Sequence, residues 1–239
     1  MSGELVIARE KILQIYRQWE KELHLYCSEL IEKEFSYPYY LYIPDNWFDS
    51  KNRIMIVGEE GSGKKPFDCS IEEAQRFNKE YLISQLDNEK NSEFNNSPFW
   101  RRFRKVAELP GVVTCWNNLD KIHVSKAGNG SLKKKQRRAL HQTPTKILHE
   151  EIKLLRPTHI VFFGWYGVSM QQECPKIFNK LYPNGLNDTS VWKEKKIVSF
   201  NVDDICYLFA YHSGWSNRQG EKGKIYESNV ISELERMLY

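Results

Sequence analysis

The residues with the most chemical potential stand in short groups that each follow an apolar run. They are Gly58-Glu-Glu-Gly-Ser-Gly63, Asn117-Asn-Leu-Asp-Lys121, Gly164-Trp-Tyr166 and His212-Ser-Gly-Trp215. The first holds a carboxylate pair, Glu59 and Glu60, the second an amide pair, and the last a histidine. A carboxylate and a histidine can stabilise opposite charges across a bond that breaks heterolytically, and the carboxylate can also orient a water. An asparagine such as Asn118 offers one donor end and one acceptor end to a planar polar edge. The five cysteines are scattered and never spaced as C-x-x-C, so no metal site and no cofactor is expected from them.

These groups need a scaffold that brings them together. Residues 4–34 carry apolar positions at helical spacing, and Tyr37-Pro-Tyr-Tyr-Leu-Tyr42 reads as a packed connector. Arg53–Val57, Val112–Trp116, Thr158–Phe163 and Ile205–Tyr211 read as buried strands. Helices are expected from Ser70, through a capping box with Glu73, to about Leu86, and from Ser97 to Leu109. Two more are expected from Thr143-Pro144 to about Leu155 and from about Tyr226 onward. Trp100 and Phe103 should pack the second of these helices inward. Strands alternating with helices, and apolar without period-two patterning, predict a three-layer α/β/α sandwich with a mainly parallel central sheet. Ligands of such sheets bind at the carboxyl ends of the strands, where the four groups lie.

The first group has two readings. Gly58-Glu-Glu-Gly-Ser-Gly-Lys-Lys65 nearly matches the phosphate-cradling pattern G-x-x-x-x-G-K-[ST], but Lys65 offers no hydroxyl for magnesium and Pro66 stands where the helix should run. A P-loop-like nucleotide-binding protein is therefore one alternative. The other uses the carboxylates. An apolar strand, Gly-Glu-Glu, a glycine-rich bend and then Pro66-Phe67 resembles the first motif of the uracil-DNA glycosylase superfamily. Trp116-Asn-Asn-Leu-Asp-Lys-Ile122 resembles its base-reading strand end. Glu150-Glu-Ile-Lys-Leu-Leu-Arg-Pro157 with Ile160-Val-Phe-Phe-Gly164 resembles its helix, proline and strand-to-glycine segment, and Tyr211-His-Ser-Gly-Trp215 its closing histidine motif. The resemblance runs discontinuously over about residues 53–215. It departs at Ser213, where a proline is usual, and the cysteine spacing excludes the iron–sulfur branch.

The resemblance implies a glycosylase-like fold and a monofunctional DNA glycosylase, a hydrolase that acts by base flipping on a pyrimidine and leaves an abasic site. It makes Glu60 the principal catalytic carboxylate, Glu59 the second candidate and His212 the group that stabilises the departing base. Asn118, Phe67, Gly58 and Gly61 would form the base pocket. The base would be uracil or a modified cytosine; glucosylated hydroxymethylcytosine in phage DNA, and so phage defence, belongs to that range. A DNA-binding module without catalysis is the remaining alternative.

Charge points to the same partner. From Lys121 to His149 there are eight Lys/Arg and no Asp or Glu, whereas 27 Lys/Arg stand against 31 Asp/Glu elsewhere. Within that stretch Ala127-Gly-Asn-Gly-Ser131 precedes Lys133, Lys134, Lys135, Arg137 and Arg138. Flexible backbone with clustered cations suits a phosphate path. Lys121, Trp215 and Arg218 complete the expected DNA contacts. The whole chain of 239 residues, 41% hydrophobic and with 7 Trp, 13 Tyr and 12 Phe, has enough apolar material for one large domain. That domain would carry an N-terminal helical extension over about 1–50 and a basic insertion over about 124–141. No apolar stretch approaches the ~20 residues of a membrane span, and Met1-Ser2-Gly3-Glu4 opens no signal architecture. A cytoplasmic monomer is expected.

Overall fold

The computed structural model describes residues 2–28, 39–60, 70–86, 96–122, 142–163, 197–211 and 213–239, with residues 23, 24, 26–28, 59, 60, 142–145 and 215 described by backbone alone. Its elements run α1 (Gly3–Ser28), β1 (Asn52–Glu60), α2 (Ile71–Leu86), α3 (Pro98–Ala107), β2 (Val112–Asp120) and α4 (Gln142–Leu155). After these come β3 (His159–Phe163), β4 (Ile197–Val202), β5 (Ile205–Ala210), a short α5 (Ser213–Asn217) and α6 (Glu221–Leu238). The sheet is five-stranded in the order β2-β1-β3-β5-β4. All neighbours are parallel except β4, which returns antiparallel along β5 at one edge. The expected α/β class with a mainly parallel sheet is observed.

Helices cover both faces. Trp100 of α3 meets Trp116 of β2 edge-on at 4.8 Å on one face. Asn117 reaches Glu151 of α4 at 2.8 Å on the other. The chain leaves β1 through α2 and α3 to reach β2, then crosses through α4 to β3 on the opposite side of β1. The winding thus reverses at β1, the kind of switch point beside whose carboxyl strand ends open α/β sheets bind ligands. In the middle of β1, Ile54 to Val57 are all at 0% exposure, as a strand covered on both faces must be. Helix α1 docks through Leu5, Ala8, Ile12 and Tyr16, spaced three and four apart along one buried stripe.

Several boundaries differ from the sequence reading. Strand β2 continues to Asp120, so Asn117, Asn118 and Asp120 are strand residues and not a loop. Strand β1 likewise runs on through Glu60. Strand β4 was not expected. Helix α4 begins at Gln142, so Thr143 and Pro144 lie in its first turn, and α6 begins at Glu221, five residues before Tyr226. The capping box is present: the Glu73 amide donates to Ser70 Oγ at 3.2 Å, and the Ser70 amide donates to Glu73 Oε2 at 3.0 Å. Among the described residues no helix is long and apolar enough to cross a membrane.

Candidate active site

Two strand ends form the site. Gly58 pairs with Asn118 in the β1–β2 ladder, and Glu60 pairs with Asp120 two residues further on. Strand alternation gives these four positions one face of the sheet, and the Glu59 and Asn117 positions the other. A Cβ on Gly58 would lie 2.7 Å from Asn118 Oδ1 and 3.3 Å from Phe99 Cε2. Only a glycine lets the two strands and α3 approach this closely.

Asn118 is 1% exposed. Its Oδ1 accepts from Trp116 Nε1 at 3.1 Å, and its backbone N–H donates to Asn117 Oδ1 at 2.8 Å. An indole nitrogen only donates, so the carbonyl end of the Asn118 amide must face it and the NH₂ end must point away. That end, Nδ2, is buried and has no hydrogen-bond partner. An unpaired buried donor costs about 1–3 kcal/mol, so this amide end is the group on the α3 face that calls for an explanation. Trp116 is fixed in turn by the rings of Trp100 and of Tyr39, the latter at 4.5 Å, and the Tyr39 hydroxyl donates to the Trp116 carbonyl at 2.5 Å. Asp120, on the same face, is fully buried.

The opposite face of the same strand is saturated. Lys121 Nζ donates to both Glu151 oxygens at 2.9 and 2.8 Å and to Asn117 Oδ1 at 2.5 Å. Asn117 Nδ2 donates to Glu151 Oε2 at 2.8 Å, and the Tyr16 hydroxyl donates to Glu151 Oε1 at 2.5 Å. Burial pulls the Lys121 ammonium below the usual lysine range while the Glu151 carboxylate works against that fall. Burial, with Glu151 adding to it, pushes the Tyr16 phenol well above its ordinary value. Lys121 therefore corrects one expectation: its side chain is wholly buried in an ion pair and has no route to a DNA phosphate.

Of the other expected site residues, Gly58 and Asn118 are brought together, and the Glu60 position lies on their face. Arg218 is exposed in the turn after α5, and the backbone of Trp215 lies within α5. Phe67, Gly61, His212 and the basic run Lys133, Lys134, Lys135, Arg137 and Arg138 lie outside the described residues, as does Gly164-Trp-Tyr166. Sequence reasoning missed Phe99, Trp116 and Asp120. Trp116 and Asp120 had a signal, since both stand two residues from Asn118 and so share its face. Phe99 had none, because its approach to Gly58 joins distant parts of the chain.

Among the described residues no group of three or more His, Cys, Asp and Glu side chains is placed to hold a metal ion. Comparison with family models and with curated proteins finds no match for this chain.

Proposed function

We propose that this chain is a monofunctional DNA glycosylase with a uracil-DNA-glycosylase-like three-layer fold, hydrolysing the N-glycosidic bond of a flipped pyrimidine. The observation that carries the reading is the free Nδ2 of Asn118, buried beside Gly58 at the carboxyl end of β1 and β2. A donor held rigidly by its own amide's second bond suits an acceptor on a base edge. Glu60, in register with Asp120 on that face, is favoured over Glu59 as the carboxylate that stabilises the sugar cation and orients water. His212, which follows β5 and Tyr211, is assigned the leaving base. Uracil and modified cytosines, the glucosylated hydroxymethyl form included, are the candidate substrates.

The P-loop alternative is disfavoured by the capping box. Ser70 caps α2, so that helix opens after Lys64 and Lys65, whereas a P-loop helix opens at its lysine. The decisive experiment incubates the protein with DNAs carrying uracil, cytosine, hydroxymethylcytosine or its glucosylated form and detects abasic sites by alkaline strand cleavage. One of these should be cleaved, and Glu60→Gln should lower that rate ~10²–10⁴-fold with binding unchanged or tighter. DNA binding with no abasic product from any of the four would leave the non-catalytic module standing.

A further inference from the structure

A groove beside the strand ends has the chemistry of a polyanion site. It lies between α3 and the α5–α6 segment, encloses about 470 Å³, and is walled by Arg101 and Lys105 on one side and Lys224 on the other. Among the described residues its one carboxylate, Glu227, is matched: Arg102 Nε donates to Glu227 Oε2 at 2.6 Å and Nη2 to Oε1, while Nη1 donates to the Tyr211 carbonyl at 2.6 Å. Arg102 is buried and serves as floor. Arg101 donates only to neutral oxygens, the Asn96 carbonyl and Asn217 Oδ1, each at 2.6 Å, so its charge is uncompensated. Lys224 meets Glu221 at 3.0 Å, but both are about three-quarters exposed and the pair contributes little. Two acids, Glu108 and Glu235, line a separate depression on the far side of Lys105 and Lys224.

The groove is built, not incidental. A Cβ on Gly223 would fall 1.7 Å from the Ser216 carbonyl oxygen, so glycine alone lets α6 start against α5 and close the groove at that end. Ser213 Oγ, in a residue 1% exposed, lines it and has no hydrogen-bond partner. Arg101 and Lys105 stand one turn apart, about 6 Å along α3, a spacing that suits neighbouring phosphates of an extended strand. Pro98 lines the groove and its neighbour Phe99 lies against Gly58, so the first turn of α3 borders both the groove and the candidate active site.

We infer that this groove holds the phosphates flanking the extruded nucleotide, with Arg101, Lys105 and Lys224 as the backbone contacts and the Ser213 hydroxyl as a donor at its inner end. The ligand assignment rests on the DNA reading above. The grip is sequence-independent, because contacts to phosphates carry no sequence information.

The test is the triple variant Arg101→Gln, Lys105→Gln, Lys224→Gln, compared with Lys11→Gln, Lys153→Gln on α1 and α4. All five side chains are exposed, so the fold is retained. Binding of a short mixed-sequence duplex is measured by fluorescence anisotropy across a KCl series. The triple variant should flatten the slope of log affinity against log salt by up to about 0.9 for each phosphate no longer neutralised, and the control pair should not. Equal slopes for parent and triple variant overturn the inference. So does loss of inorganic pyrophosphate or ATP binding in the triple variant with the DNA slope intact, which would assign the groove to a small anion. A flattened slope without any abasic product retains the groove and removes the glycosylase; a parent that binds no DNA removes both.

Discussion

Asn117 and Asn118 are neighbours in one strand, both buried, and differ in almost everything else. Asn117 uses both ends of its amide, giving to Glu151 and taking from Lys121 and from the Asn118 N–H. Asn118 uses one end, on Trp116, and keeps a donor free. The pleat sends one amide to the α4 face and the other to the α3 face, so a single dipeptide separates a structural polar network from a site. Burial alone does not distinguish them; hydrogen-bond satisfaction does.

The contrast is sharpest in stability. Asn117→Ala removes two bonds to charged groups, worth about 1.5–3 kcal/mol each, while Lys121 and Glu151 still pair with each other, so a loss of about 3 kcal/mol or more is expected. Asn118→Ala removes a costly unpaired donor and orphans one indole N–H. These effects oppose each other, so its change should stay within about 1 kcal/mol. Urea unfolding of the two variants measures the difference. Equal losses would mean that the two asparagines play the same structural part.

A second pair of measurements probes what Asn118 reads. With Oδ1 held by Trp116, the wild-type amide presents a donor, so under the proposed function the accepted base offers an acceptor there. Asn118→Asp exchanges donor for acceptor and should shift the ratio of excision rates between bases with an acceptor and those with an amine by ~10²-fold. Single-turnover rates on uracil and cytosine-derivative DNAs read this ratio. An unchanged ratio and rate would return Asn118 to a purely structural role.

The sequence already carried the scaffold. Arg53–Val57 and Thr158–Phe163 are continuous apolar runs, and Ser70 to Glu73 spells its own cap, so local chemistry and tertiary structure agree there. Where reading failed, a distant partner had changed the meaning of a residue. Lys121 looks like one more cation in a basic stretch, yet Glu151, thirty positions away, buries it. Asn117 to Asp120 look like a polar loop, but the α4 network and the Trp116 bond let them continue as strand. Gly223 looks like a helix breaker and instead lies inside α6, because the Ser216 carbonyl leaves no space for a side chain. Strand β4 was legible in hindsight: Asp203-Asp204 is a two-residue turn, with Asp203 at φ 52°, between Val202 and Ile205.

The smallest expected effect lies at the opposite end of the sheet from the site. His159 opens β3, with Nδ1 2.9 Å from Thr158 Oγ1 and Nε2 3.2 Å from the Met237 carbonyl of α6. A carbonyl only accepts, so Nε2 carries the proton of the neutral ring. Burial holds the His159 pKa below its ordinary 6.5, and the Met237 carbonyl opposes that fall only in part. The unfolded chain therefore takes up a proton more readily than the folded one. Stability from this group is complete above pH 6.5, declines as the pH falls through that value, and levels off below the folded pKa, with a slope under ~1.4 kcal/mol per pH unit. His149, on α4, is also lowered, by burial and by Lys153, and adds a separate contribution of the same sign. His159→Gln keeps a donor for Met237 and removes the titration. Its urea midpoint should fall less than the parent's between pH 7.5 and 5.5; an identical fall in both proteins would place the acid sensitivity elsewhere.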